Sequence, residues 1–423
     1  MKKNINKILN EVLKKIKPLE KETENIKKVL EKSLNELKKN FKNLKIDAEV
    51  FVGGSFAKNT IIRKKYYDID VFVRFPKKYG KKDISILTEN ALKGLNASVI
   101  HGSRNYFRIK NGNVFVEIIP VIKIKKPEEA ENITDLSYLH VKYIKNKLKS
   151  GKVLDEVRIA KAFCYAQQCY GAESYIHGFS GYGLELLVYY YGSFLKFIKE
   201  IIKKDKIIID IEKYFKNKNE ILMNLNSSKL QSPIVLIDPS YKQRNVLAAL
   251  SDETFKKFKN TCKIFLKNPS EKAFEIKEID FENLEKNAAK RGLDSAMVEA
   301  RTDRQEGDIA GTKLRKFYEY LCKEIEKYFE IKNKEFYYNG QKSAKYFFAV
   351  KKKEKKLVMG PKIDDKENAE KFEKKHKNIF VKSGRVYACE NVNLKIKKFL
   401  DLWKDKNAKK IRDMSISEIK IVP

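Results

Sequence analysis

Apolar side chains recur at Ile5, Ile8, Leu9, Val12, Leu13 and Ile16, and again at Ile26, Val29, Leu30, Leu34 and Leu37. This is helical spacing, interrupted at Pro18, so residues 2–44 read as two amphipathic helices that cover one side of a following sheet. The period then changes to two. Ala48 to Val52, Tyr67 to Phe75, Ala97 to Ile100, Tyr106 to Ile109 and Val114 to Ile124 read as strands, with a helix near Ile84 to Leu95 among them. A few strands with helices on one side make an α+β domain.

Around residue 135 the pattern returns to helices. Ser137 begins one that runs to about Leu148. A second spans Leu154 to Tyr170, with Val157, Ala160, Phe163, Cys164 and Gln167 along one stripe. Lys161 lies beside that stripe, where periodicity alone predicts an ordinary solvated lysine. Gly178, Gly181 and Gly183 bracket a turn, after which Leu184 to Ile198 forms a very apolar helix that must be buried. Farther on, Phe336 to Met359 reads as short strands with a hairpin turn at Asn339-Gly340. Tyr337, Tyr338, Tyr346 and Phe347 are candidates for stacking on bases, although strand aromatics more often fill cores.

One stretch changes the picture from fold to chemistry: FVGGSFAKNTIIRKKYYDIDVFVRF, Phe51 to Phe75. An apolar strand ends in Gly53 and Gly54, and Ser55 and Lys58 open a short helix predicted to end near Tyr66. In the next strand, alternation sends Asp68 and Asp70 to one face and Ile69, Val71 and Val73 to the other. Two carboxylates side by side repel unless a cation neutralises them, and hard oxygens select Mg²⁺, commonly completed by substrate phosphates. Paired glycines let backbone N–H groups approach a triphosphate, and a helix N-terminus adds positive partial charge. Asp-x-Asp and Gly-Gly are each common in turns and surface strands, but a solvent-facing acid pair has no need of that upstream loop. A third acid, Glu117, lies in VFVEIIPV on the same strand face as Phe115 and Ile119, where a charge requires either a metal or a basic neighbour.

With 423 residues the chain is long enough for two to four domains. A formal net charge of +35, from 91 basic against 56 acidic residues, implies a polyanionic partner, even though many lysines simply face water from amphipathic helices. Five cysteines, Cys164, Cys169, Cys262, Cys322 and Cys389, are scattered without a C-x-x-C pair, which indicates neither a zinc site nor a disulfide framework. No leader pattern opens the chain and no run approaches the roughly eighteen apolar residues of a membrane span, so a cytoplasmic protein with no membrane partner is expected.

GGSFAKNT followed by DIDVFV resembles the signature of the polymerase β-like nucleotidyltransferase superfamily. HGFSGYGLELL, then YGSF, IDPSYKQRNVLAALS (Ile237 to Ser251) and GPKIDDKENAEKFEKKHKNIF (Gly360 to Phe380) narrow the resemblance to the archaeal CCA-adding enzymes, the tRNA nucleotidyltransferases that build the 3′ CCA end. The resemblance implies a multidomain α+β protein: a catalytic head with a mixed sheet at 1–135, a helical neck at 136–270 that reads the base, and an α+β body with its tail at 271–423 that binds tRNA. It implies that the 3′-hydroxyl of a tRNA lacking all or part of its CCA attacks the α-phosphorus of CTP or ATP, with two Mg²⁺ ions held by Asp68, Asp70 and Glu117. By position-wise match, Gly54, Ser55 and Lys58 contact phosphates. His140, Lys161 and Tyr170 hold the triphosphate and ribose, and Arg244 recognises the base, so that no template is needed. The sequence is as compatible with a homodimer as with a monomer.

Three positions depart from the family pattern: Lys58 stands where arginine is frequent, Glu117 where aspartate is usual, and Lys64-Lys65-Tyr66-Tyr67 replaces a glycine before the acid pair. Rival readings are another template-independent nucleotidyltransferase, of the poly(A) polymerase or oligoadenylate synthetase type, and a non-catalytic RNA-binding protein. The neck and late-domain motifs disfavour the first. Against the second, three clustered acids without metal would repel each other and RNA phosphates alike.

Overall fold

The computed structural model describes residues 2–79, 81–102, 104–276, 279–391 and 394–422, and the chain divides into two compact units, Met1–Lys277 and Glu278–Pro423. Among the described residues the first unit holds two large cores and a small cluster of Ile221, Leu225, Val235 and Ile237. One large core lies beneath a five-stranded sheet of order β1-β2-β5-β4-β3, formed by Glu49–Val52 (β1), Tyr67–Phe75 (β2), Ala97–Ile100 (β3), Tyr106–Asn111 (β4) and Val114–Ile122 (β5). Only β2 and β5 run parallel, so the sheet is mixed. Alternation works as predicted along β2: Ile69, Val71 and Val73 are sealed against Ile26, Leu30 and Leu37 of the helix Glu20–Asn43 (α2), while Asp68 and Asp70 face away from that core.

The first helix, Lys2–Ile16 (α1), does not cover the sheet as expected. Its Ile5 and Leu9 enter the second core, built from the helices Gly151–Ala166 (α6), Gly181–Tyr191 (α7), Phe194–Ile201 (α8) and Asp252–Lys267. The intervening helices are Gly54–Ala57 (α3), Lys81–Ala91 (α4) and Ser137–Lys147 (α5). This helical core also takes in Ala273 and Phe274, beyond the residue 270 boundary anticipated for a helical neck. The very apolar helix expected over Leu184–Ile198 is instead two, α7 and α8. Gly192 takes a φ of +83°, which closes α7, and the Ser193 hydroxyl accepts from the Lys196 N–H to start α8. A small sheet of Ile207–Ile209 (β6), Ile234–Asp238 (β7) and Tyr241–Asn245 (β8) completes the unit.

The second unit carries a four-stranded sheet ordered β10-β11-β9-β15, from Asp294–Arg301 (β9), Phe329–Tyr338 (β10), Ser343–Lys352 (β11) and Glu418–Val422 (β15). A three-stranded sheet of Lys355–Lys362 (β12), Ile379–Lys382 (β13) and Arg385–Asn391 (β14) lies beside the helix Lys366–Lys375. The hairpin at Asn339-Gly340 forms, with Gly340 at φ +89°. Tyr346 and Phe347 are fully buried on opposite faces of β11, Tyr338 donates to the Gly307 carbonyl, and Tyr337 packs on Phe281. Tyr346 and Phe347 thus belong to the core, whereas Tyr337 and Tyr338 are only half-buried. Among the described residues no helix is long and apolar enough to cross a membrane, and the five cysteines are free thiols.

Candidate active site

The pairing of β2 with β5 decides where the acids meet. In that parallel register Asp68 lies beside Phe115 and Asp70 beside Glu117. The glycine turn closes over them from β1: the Gly53 N–H donates to the Asp70 carbonyl, and Gly54 sits at φ +60° directly against the Asp70 side chain. A Cβ on Gly54 would lie 1.6 Å from Asp70 Oδ2, so both backbone and space demand glycine there. Burial, with Glu117 and Asp68 adding like charge, pushes the Asp70 carboxyl up to about 7, although Lys58 opposes the shift.

Glu117 has a basic neighbour as well. Arg108, its register partner on β4, donates from Nε at 3.0 Å and from Nη2 at 2.6 Å, both to Oε1. Burial still raises the Glu117 carboxyl, against the pull of Arg108. With Glu117 drawn toward Arg108, no three His, Cys, Asp or Glu side chains among the described residues stand close enough together to hold an ion. The donor set nevertheless suits one: three hard carboxylates on adjacent strands, with Asp70 and Glu117 each destabilised as an anion by burial and by a neighbouring acid.

The helix predicted to run from Ser55 to near Tyr66 is a single turn, Gly54–Ala57. Asn59 takes a φ of +52°, and the chain beyond it is captured by α6. Arg158 donates to the carbonyls of Asn59 (2.6 Å) and Ile61 (3.2 Å), and Lys161 Nζ donates to the Thr60 hydroxyl at 2.7 Å. Lys161 is not a solvated lysine, since 3 % of its side chain is exposed. It meets Lys58 through a residue that sequence reading did not single out, Glu185 of α7. The two ammoniums each lie 2.7 Å from that carboxylate, on different oxygens, and the Thr60 hydroxyl adds a third donor at 2.8 Å. Burial favours neutral Glu185, but the two lysines overrule it and hold the carboxyl down at about 2. Burial lowers Lys161 to about 8 despite Glu185.

Lys58 also joins the acids to a third group. Its ammonium stands 5.9 Å from the Tyr182 ring, and that ring stacks on His140 with centroids 4.2 Å apart. His140 Nε2 is 3.0 Å from Asp238 Oδ2, to which Arg244 donates at 2.7 Å, while the Tyr182 and Ser240 hydroxyls donate to Oδ1. Burial opposes charge on Asp238, yet His140 and Arg244 keep it far below the usual carboxylate range. Burial also lowers His140, favouring neutral imidazole. Tyr170 lies on the other side, its hydroxyl fitted against Gly181, where a Cβ would come within 2.8 Å. The acid pair, Lys58, Lys161, His140 and Arg244 are thus linked through Glu185, Tyr182 and Asp238.

Residues 30–156 match the nucleotidyltransferase domain family, and residues 155–275 match the second domain of tRNA nucleotidyltransferases. The chain is 35% identical over 352 residues to the CCA-adding enzyme of Nanoarchaeum equitans, covering 81% of this chain and 84% of that one. It is 30% identical over 420 residues to the CCA-adding enzyme of Methanocaldococcus jannaschii, covering 95% and 90%.

The chain belongs to the CCA-adding enzyme family.

A further CCA-adding enzyme, from Saccharolobus islandicus, is 37% identical over 269 residues, covering 62% of this chain and 60% of that one. Solved structures share the fold alone: a cytoplasmic RNA terminal U-transferase (TM-score 0.51, 15% identity, 66% of this chain and 100% of that one) and a poly(U) polymerase (TM-score 0.52, 15% identity, 66% and 100%). In this chain, the sequence alone did not mark Glu185, Asp238, Tyr182 or Lys64 as site residues. Glu185 and Asp238 carried a signal, each being a lone acid closing or interrupting an apolar run, GLELLV and IVLID. Lys64, half-buried with its ammonium 4.7 Å from the Tyr165 ring and 5.9 Å from that of Tyr170, carried none.

Proposed function

We propose that the chain extends the 3′ end of a tRNA lacking all or part of its CCA, from CTP and ATP, with no nucleic acid template and with release of pyrophosphate. The bond formed joins the terminal 3′-oxygen to the α-phosphorus. The bond broken is that from the α-phosphorus to the oxygen bridging it to the β-phosphorus, and the hydroxyl proton is lost. Residues 1–135 act as the catalytic head, 136–270 as the part that reads the base, and 271–423 as the part that grips tRNA.

The observation that carries this reading is the β2–β5 register, which sets Asp70 beside Glu117 with Asp68 next to them, under a turn that only glycine can form. Nucleotidyltransferases generally use divalent metal ions. Asp68, Asp70 and Glu117 would hold two Mg²⁺, which when bound supply an acidified hydroxyl and neutralised phosphate charge. Gly54 leaves backbone N–H groups open to phosphate oxygens, with Ser55 in the same turn. Lys58, the cation between the acids and Tyr182, orients the triphosphate, and Lys161 sets the position of Lys58 through Glu185. Tyr170 and His140 flank the nucleotide, with His140 held neutral by burial. The Arg244 fork, anchored on Asp238, offers its remaining donors to acceptors shared by cytosine and adenine.

The test is to incubate purified protein and Mg²⁺ with tRNA lacking CCA, supply nucleotides singly and together, and sequence the 3′ ends. The expected product gains C, C and A and then stops. A long run of A on any RNA would overturn the reading, as would full activity in Asp68→Asn.

A further inference from the structure

The open face of the sheet does not end at the acids. Two cross-strand rows run over it: Asp70, Glu117 and Arg108 in one, Asp68, Phe115 and Lys110 in the other. Tyr66 precedes Asp68 by two residues. Its ring lies 5.5 Å from that of Phe115, tilted 38°, and 41% of the residue is exposed. Cations ring this pair. Lys65 Nζ is 5.6 Å from the Tyr66 ring, and Arg108 Cζ and Lys110 Nζ are 5.1 and 6.0 Å from the Phe115 ring. Arg108 is committed to Glu117, but among the described residues neither Lys65 nor Lys110 has a carboxylate partner.

We infer that Tyr66 and Phe115, with Lys65 and Lys110, form a platform for the single-stranded 3′ end of the RNA substrate. The inference rests on the nucleotidyl transfer proposed above and specifies where its acceptor strand lies. An aromatic face accepts any unpaired base, whereas a duplex offers none, and interleaved lysines complement the phosphates that flank each base. An extended chain rises about 3.3 Å per residue, so Tyr66 and Asp68, two residues apart, are separated by about 7 Å. A terminal base stacked on Tyr66 therefore lies about one nucleotide's reach from the acid pair. Surface lysines scattered around a buried core would also produce a basic face. They would not leave a tyrosine exposed against a phenylalanine in register with the acid pair.

The probe is tRNA ending at the unpaired nucleotide before CCA, compared with the same tRNA trimmed to a blunt acceptor stem. Binding is measured in chelator without nucleotide, so that catalysis plays no part. Tyr66→Ala is expected to weaken binding of the tRNA with the unpaired end about tenfold. It leaves blunt tRNA and CTP affinity unchanged, and Tyr66→Phe restores the wild-type value. Lys65→Ala with Lys110→Ala is expected to flatten the salt dependence by about two charges. Unchanged binding in Tyr66→Ala, an equal loss for blunt tRNA, or a loss confined to CTP would each overturn the platform. These outcomes are separable from failure of the proposed reaction, because a wild-type protein that adds no CCA at all sinks that reading whatever Tyr66 does.

Discussion

Glu185→Gln is the substitution whose cost the structure defines most tightly. The wild-type carboxylate is fully buried and serves two ammoniums whose side chains are 9 % and 3 % exposed, plus the Thr60 hydroxyl. Glutamine keeps the shape and one acceptor oxygen but removes the only negative charge among these three charged groups. Breaking a buried ion pair by deleting one partner costs about 3–5 kcal/mol. For a unit of this size each kcal/mol moves the melting temperature by about 2–4 °C, which gives a drop of about 6–20 °C. The assay is thermal unfolding of the variant across pH. Lys161 already sits near 8, held down by burial, and falls further without Glu185. The orphaned ammonium therefore sheds its proton below pH 8, and the deficit should shrink as pH rises toward 8. Lys161→Met combined with Glu185→Gln should cost less than the two single changes added together. A Glu185→Gln protein within about 1 kcal/mol of wild type, or a deficit that grows between pH 7 and 9, would refute the reasoning.

Asp70 gives a second pH prediction of opposite origin. Its folded value is raised from 3.8 to about 7, so its contribution to stability is complete below pH 3.8 and is lost as pH rises through 7. Metal-free protein should therefore lose stability across that window relative to Asp70→Asn, and Mg²⁺ should remove the difference, as thermal melts with and without chelator will show. Gly54→Ala forces a φ of +60° on alanine and drives a methyl into the Asp70 carboxylate, so CCA addition should fall at least a hundredfold while the melting temperature drops only a few degrees. Arg244→Ala should loosen selection of C and A against G and U in single-nucleotide reactions. Unchanged selectivity would remove Arg244 from base recognition.

What was legible in the sequence follows the range of the interaction. Strand alternation, the acid pair, Glu117 and the glycine turn are local patterns, and the sheet appears where period two predicts it. The single helical turn at Gly54 was not legible, because what ends it is Arg158, a hundred residues away, capturing the carbonyls of Asn59 and Ile61. Lys161 was misread for the same reason: its neighbours on α6 describe a solvated edge, and Glu185 and Thr60 arrive from other segments. Arg108 was invisible until β4 and β5 paired in register. The break between α7 and α8 should have been readable, since Gly192-Ser193 is a stop followed by a start.

The placement of α1 has a consequence for how this protein can be taken apart. The chain begins in the helical core, crosses to the sheet and its cover, and returns only after residue 135, so the two layers are laced by their own backbone. A fragment starting at α2 would expose the groove that Ile5 and Leu9 fill. Transplanting the catalytic sheet onto another scaffold therefore means carrying, or replacing, a helix that never touches the chemistry.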